Sequence, residues 1–388
     1  MAKRQRGWEE RGCQGTAKRP APERKKHLYL LLDDWERGYS IRRLDVDDFN
    51  SDDDTAGTDQ PPPTRFTEPP VARLEAKHER DCFYSSPVVS HGTKILAMQP
   101  GEAASLGIPA FDTRTLALSI CPWPSPAHSR EDFGLPLFAS AAGKLFAFTD
   151  VDAFYLGDQP PYGSKAPWSW TRTAVEHQRL PFYITQVKCY ALHPDGRTLF
   201  VSADSRRSHR SGTFSLDAER LEWTRRGDWL LPFAGQAYFD AELEAWVGLC
   251  GERDNAGRLC SCDVVAAGEL ATPPPSWKIG EDTLFREDYP ERLRLGARLV
   301  YMGGHSKFCL VELLLHKDDE HLDSAEDMVW PPRPRPRRRR ILNLTTFGVK
   351  YNKEGQLRTS VLQRGLACKM YKRPCDSGGL FNPLAFWL

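Results

Sequence analysis

The sequence predicts an all-β protein, a kelch-like β-propeller of six blades, and three observations carry that expectation. Short apolar runs rich in β-branched and aromatic residues recur between turn signals, as strands of a packed sheet require. Clusters of these runs begin near Val88, Leu137, Val187, Ala237, Ala297 and Thr345, a spacing of about 50 residues that matches blades of the kelch size. No amphipathic helix of three turns is readable in the central region.

Taken in order, Leu28–Leu32 and Ile41–Val46 form an N-terminal strand pair. Five internal blades follow at about 87–124, 136–174, 187–231, 235–279 and 297–318 with the loop after it. The stretch 341–366 supplies two more strands, and joining them to the N-terminal pair completes a sixth blade from both ends of the chain. Such pairing removes the unpaired edges that an open ring would leave. Turns read at His193-Pro194-Asp195-Gly196-Arg197 and Asn352-Lys353-Glu354-Gly355-Gln356, each between apolar segments as in a hairpin. Two further hairpins run from an apolar strand through an aspartate: Ala110-Phe111-Asp112-Thr113-Arg114-Thr115-Leu116, and Phe214 to Trp223 by way of Asp217-Ala218-Glu219. Asp suits the tight turn, and Trp223 suits the interface between blades. A pair of two-sheet sandwiches gives a similar periodicity and is the competing architecture.

Of 388 residues, 53 are Lys or Arg and 52 are Asp or Glu, a net charge of +1. That balance excludes a protein that grips nucleic acid with its entire surface. No apolar run approaches the roughly 18 residues of a membrane-spanning helix. The charge is segregated. Residues 1–26 hold nine Lys or Arg against three Glu and read as a disordered basic arm. Its clusters, Lys3, Arg4 and Arg6, then Lys18, Arg19, Arg24, Lys25 and Lys26, have the spacing of a bipartite nuclear import signal, with a plain solvated tail as the alternative. No apolar segment of the secretory type follows, which points to a nuclear or cytoplasmic protein. Within the ordered region 27–366, the segments 47–70 and 316–340 are low-complexity loops, the second running from acid into Arg335, Arg337, Arg338, Arg339 and Arg340. Residues 367–388 read as an irregular tail.

The strings His27-Leu28-Tyr29-Leu30-Leu31-Leu32-Asp33-Asp34-Trp35-Glu36-Arg37-Gly38-Tyr39-Ser40-Ile41-Arg42-Arg43-Leu44-Asp45, Phe111-Asp112-Thr113-Arg114-Thr115 and Cys121-Pro122-Trp123-Pro124 resemble landmarks of a grass-expanded family of uncharacterised plant proteins. The similarity runs from about 27 to about 366 and implies a kelch-like fold. It implies no chemistry, because that family has no established activity. Of kelch features proper, the double glycine after an apolar strand occurs once, at Gly303-Gly304.

No catalytic, cofactor-binding or metal constellation is legible. The ten cysteines form no CxxC pair, and Cys260-Ser261-Cys262 lacks a second pair at zinc spacing, so reduced thiols are expected. GxSxG, Walker and GxGxxG motifs do not occur. His305, just after the double glycine, is the one candidate for the mouth of a propeller channel, and it anchors the alternative of an enzyme. The arginine-rich loop together with the basic arm anchors a second alternative, salt-dependent binding of nucleic acid. The leading expectation is a monomeric, non-enzymatic scaffold without cofactor that holds a protein partner, since a rigid disc pre-organises its loops.

Overall fold

The computed structural model describes residues 25–35, 38–47, 66, 68–75, 88–97, 107–122, 137–149, 153–161, 163–173, 180–205, 210–268, 272–319, 339–371 and 384–388. These residues form an all-β, propeller-like fold, with no α-helix among them.

Sheet A comprises β1 (Leu28–Trp35), β2 (Gly38–Leu44), β3 (Ala72–Glu75) and, from the far end of the chain, β24 (Leu384–Trp387), in the order β24-β1-β2-β3. Sheet B is β4 (Val88–His91), β5 (Lys94–Ala97), β6 (Ile108–Asp112) and β7 (Leu118–Cys121). Sheet C is β8 (Leu137–Ala141), β9 (Lys144–Phe148), β10 (Ala153–Leu156) and β11 (Trp170–Arg172). Sheet D is β12 (Val187–Leu192), β13 (Thr198–Ala203), β14 (Gly212–Asp217) and β15 (Glu222–Gly227). Sheet E is β16 (Gly235–Asp240), β17 (Ala245–Leu249), β18 (Leu259–Asp263) and β19 (Trp277–Ile279). Sheet F is β20 (Arg294–Gly303), β21 (Lys307–Leu315), β22 (Arg339–Tyr351) and β23 (Leu357–Tyr371). Within each sheet neighbouring strands run antiparallel, and B to F are meanders of consecutive strands. Sheets D and E also join through parallel pairing of their first strands, Tyr190 opposite Gln236.

The packing explains the strand sequences. Continuous apolar runs mean that both faces of a strand are buried, because alternate side chains point to opposite faces. Tyr29 and Leu31 of β1 pack with Ile95 and Phe111 of sheet B. Leu28, Leu30 and Leu32 point the other way, onto Val311 and Leu344 of sheet F. Four further clusters join B to C through Leu96 and Phe154, C to D through Phe148 and Val201, D to E through Phe200 and Trp246, and E to F through Val247 and Phe308. Indole N–H groups bridge two of these seams: Trp170 donates to Pro122 O and Trp246 to Leu192 O, both at 2.9 Å. Trp223 occupies the C–D seam as expected, edge-on to Phe148 and Phe182 with centroids at 5.5 and 5.1 Å.

The C-terminal region departs from the sequence reading. The segment 341–366 does not complete sheet A; β22 pairs with β21 from Lys307↔Gly348 to Leu315↔Arg340 and stays in sheet F with β23. The apolar β21, buried on both faces, takes β22 as its neighbour, so the acid-to-arginine segment is a hairpin connection. The strand that meets β1 is β24, in register Leu28↔Trp387 to Leu31↔Leu384, within the segment expected to be irregular. Its Ala385 and Phe386 are buried, which ties the chain end into the core.

Candidate functional site

Tight turns built on aspartate connect strands at one end of the sheets. Asp112 Oδ1 accepts the N–H of Arg114 at 2.8 Å, and Asp217 Oδ1 those of Glu219 and Arg220 at 2.9 and 3.1 Å. Asp240, which the sequence reading did not single out, repeats the device with Glu242 and Leu243, both at 3.0 Å. Four residues after each Asp the chain is left-handed: Leu116, Leu221 and Glu244 have φ of 57°, 62° and 50°. The repeated Asp-Ala-Glu at 217–219 and 240–242 was the available signal.

His305 lies in the turn between β20 and β21, at φ 62°. Its side chain is 90% exposed, with Nδ1 3.4 Å from Glu242 Oε1. The next residue, Ser306, is buried and donates to Asp240 Oδ1 at 2.8 Å, linking the turns of sheets E and F. His305 therefore sits at a sheet end beside the first-strand turn of sheet E, in solvent.

A second group gathers on the first strands of sheets D, E, F and A. Tyr190 of β12 donates to Gln236 Oε1 of β16 at 3.1 Å, and Tyr238 of β16 donates to Leu299 O of β20 at 3.1 Å. Arg298 of β20 stacks over Phe386 of β24, 5.3 Å from the ring centroid. Burial pushes the Tyr238 phenol up to about 12 against the opposing pull of Arg298. Burial likewise raises Tyr190, again opposed by Arg298. One guanidinium thus acts on residues from three other strands. No local sequence signal marked it, because the strands that converge on it lie in different sheets.

The basic residues singled out in the sequence divide into two sets. Lys3, Arg4, Arg6, Lys18, Arg19, Arg335, Arg337 and Arg338 lie outside the described residues. Lys25 is ion-paired with Asp45 and with Asp47 at 2.9 Å, while Lys26 is exposed. Arg339 opens β22 and grips Asp319 at 2.6 Å and Asp318 at 3.1 Å, so the acidic and basic ends of the connection meet at its base. Arg340 is a buried residue of the same strand.

The described cysteines Cys121, Cys189, Cys250, Cys260, Cys262 and Cys309 are free and buried. Desolvation pushes the thiols of Cys121, Cys189, Cys262 and Cys309 up to about 12, far from the thiolate form that reacts or binds metal. Among the described residues no three His, Cys, Asp or Glu side chains are grouped to hold a metal ion. No helix among them is long and apolar enough to cross a membrane.

The outermost strands provide the third feature. β3 carries Arg73 and Glu75, β11 Arg172, β15 Glu222, Arg225 and Arg226, β19 Lys278, and β23 Arg358. β7, Leu118-Ser119-Ile120-Cys121, carries no charge. Leu116, Leu118 and Ile120 there are 50, 56 and 63% exposed, half of the large exposed apolar side chains among the described residues.

The chain belongs to the family described as a protein of unknown function (DUF1668), whose model matches residues 25–367. No curated protein matches the chain. Among solved structures it is similar to a candidate 6-phosphogluconolactonase from Bacteroides fragilis, 10% identical over 91% of this chain and 99% of that one, with TM-score 0.37. It is similar to apo AztD from Citrobacter koseri at 11% identity, covering 89% and 98%, with TM-score 0.34. It also resembles Kuenenia stuttgartiensis hydrazine synthase at 10% identity and TM-score 0.29, covering 70% of this chain and 64% of that chain.

Proposed function

We propose that the protein is a non-enzymatic, kelch-like propeller of six blades, sheets A to F, closed by β24 and serving as a scaffold for a protein partner. In this reading it is a monomeric plant protein of the nucleus or cytoplasm. The observation that carries the scaffold role is that β7, outermost in its sheet among the described residues, carries no charge and exposes Leu118 and Ile120. An outermost strand presents unpaired N–H and C=O groups, and proteins ordinarily guard such edges with charge. The other outermost strands carry charged residues, while β7 offers Leu118 and Ile120 two residues apart on one face. The occupant that fits is an extended segment of the partner with apolar residues at alternate positions, added as a further strand. The arginine-rich alternative is less favoured, because Arg339 is committed to Asp318 and Asp319.

A library of extended peptides selected on the full-length protein tests this. Peptides with alternating apolar residues should be enriched. Their affinity should fall about tenfold or more with Ile120→Lys or Leu118→Lys, and stay unchanged with the surface control Glu222→Lys on β15. Equal binding by all four proteins contradicts the assignment of β7.

A further inference from the structure

Arg298 has no carboxylate counter-ion among the described residues. Its Nε is buried without a hydrogen-bond partner. The groups that face it are neutral: the phenol of Tyr190, the phenol of Tyr238, to which it donates a hydrogen bond, and the ring of Phe386; Gln236 joins them through its bond to Tyr190. A guanidinium stays charged in any protein setting, and a cation withdrawn from water without a counter-ion is costly. Other arginines of this chain show the usual remedy. Arg294, four residues earlier on the same strand, faces the fully buried Glu312 at 3.4 Å, and Arg339 faces Asp319.

The hydrogen-bond directions around Arg298 are informative. Both phenols give their protons away, Tyr190 to Gln236 Oε1 and Tyr238 to Leu299 O. Gln236 accepts through Oε1, which leaves its amide N–H groups as donors. The phenol oxygens are thereby left as acceptors, so the donors still to be satisfied are those of Arg298 and the Gln236 amide, and the cluster is assembled from the first strands of four sheets rather than from one loop.

We propose that Arg298, with the Gln236 amide that Tyr190 holds in place, forms a binding site for the compact oxyanion group of a small molecule, a carboxylate or a phosphate. The planar fork of Arg matches either group through paired N–H···O bonds. Phe386 flanks the guanidinium and supplies an apolar wall for the body of such a ligand. The site lies on the inner strands and is independent of the β7 edge, so either assignment can fail without the other.

Calorimetric titration of the full-length protein with sodium benzoate, sodium acetate and inorganic phosphate tests the site, with sodium chloride at matched ionic strength as reference. At least one oxyanion should bind with one-to-one stoichiometry and chloride should not. A response to benzoate and acetate assigns a carboxylate ligand, and a response to phosphate alone assigns a phosphate. Arg298→Gln should weaken binding at least about tenfold. Arg298→Lys keeps charge and loses the fork, and should give an intermediate loss. Tyr190→Phe is nearly isosteric, guards against misfolding of the arginine variants, and should weaken binding severalfold because it releases the Gln236 amide. Ile120→Lys should leave it unchanged. Absence of binding by all three oxyanions overturns the proposal, as does unaltered affinity in Arg298→Gln.

Discussion

Sheets B and D use the same local device to different ends. In each, the third strand ends in Asp, the carboxylate caps the turn, and a leucine four residues on adopts a left-handed backbone: Asp112 with Leu116, Asp217 with Leu221. The outermost strand follows at once, so Leu118 of β7 stands where Trp223 stands in β15, and Ile120 where Arg225 stands. In sheet D these positions are occupied or guarded. Trp223 is locked between Phe148 and Phe182, and Arg225 stacks on Phe214 while pairing with Asp228. In sheet B the same positions face solvent as bare hydrocarbon. Backbone geometry alone therefore does not decide what an outer strand does; its side chains and the neighbouring sheet do.

The comparison breaks most visibly at the tryptophan. Trp223→Ala should cost about 3 kcal/mol in urea unfolding, because it empties an aromatic seam. Leu118→Ala at the equivalent place should cost under about 0.5 kcal/mol. Equal costs would mean that β7 is packed like β15. The shared aspartates come next. Asp112→Ala and Asp217→Ala should each cost about 1 kcal/mol, since each strands turn N–H groups.

Acid unfolding sharpens the same point. Burial works to raise the carboxyls of Asp112, Asp217 and Asp195, and turn N–H groups outweigh it, joined by Lys94 at Asp112 and the Thr198 hydroxyl at Asp195. All three lie below their ordinary value, Asp195 at about 2. Their contribution is present above the unfolded pKa of about 3.9 and is lost as pH falls through the folded values. The stability of Asp112→Ala should therefore respond less to acidification from about pH 5 to 2 than that of the parent protein. The smallest effect concerns the left-handed leucines. Leu116→Asn should stabilise by about 0.5 kcal/mol, since exposed Leu116 suffers the backbone penalty that Asn tolerates. Leu221→Asn should destabilise, because Leu221 packs in the C–D seam.

Much of the fold was legible because its signals are local. Strand runs, the period of about 50 residues and the turns at Asp112, Asp195 and Asp217 are written in contiguous residues. β24 escaped notice because four residues after Asn382-Pro383 carry no periodicity of their own; only the exposed edge of β1 makes them a strand. Leu116–Cys121 was readable as strand, yet its place at the outer edge follows from sheet order, which the sequence does not print. Arg298 was illegible for a stronger reason, as its surroundings come from β12, β16 and β24. The charge segregation read from composition has a structural counterpart in the Lys25–Asp45 and Arg339–Asp319 pairs.

Amide hydrogen exchange of the full-length protein, with and without a selected extended peptide, tests the central claim most directly. Strand addition at the open edge should slow exchange in β7, residues Leu118–Cys121, and leave β15, residues Glu222–Gly227, unaltered. Protection gained at β15 or at the Asp turns, with none at β7, would contradict the account.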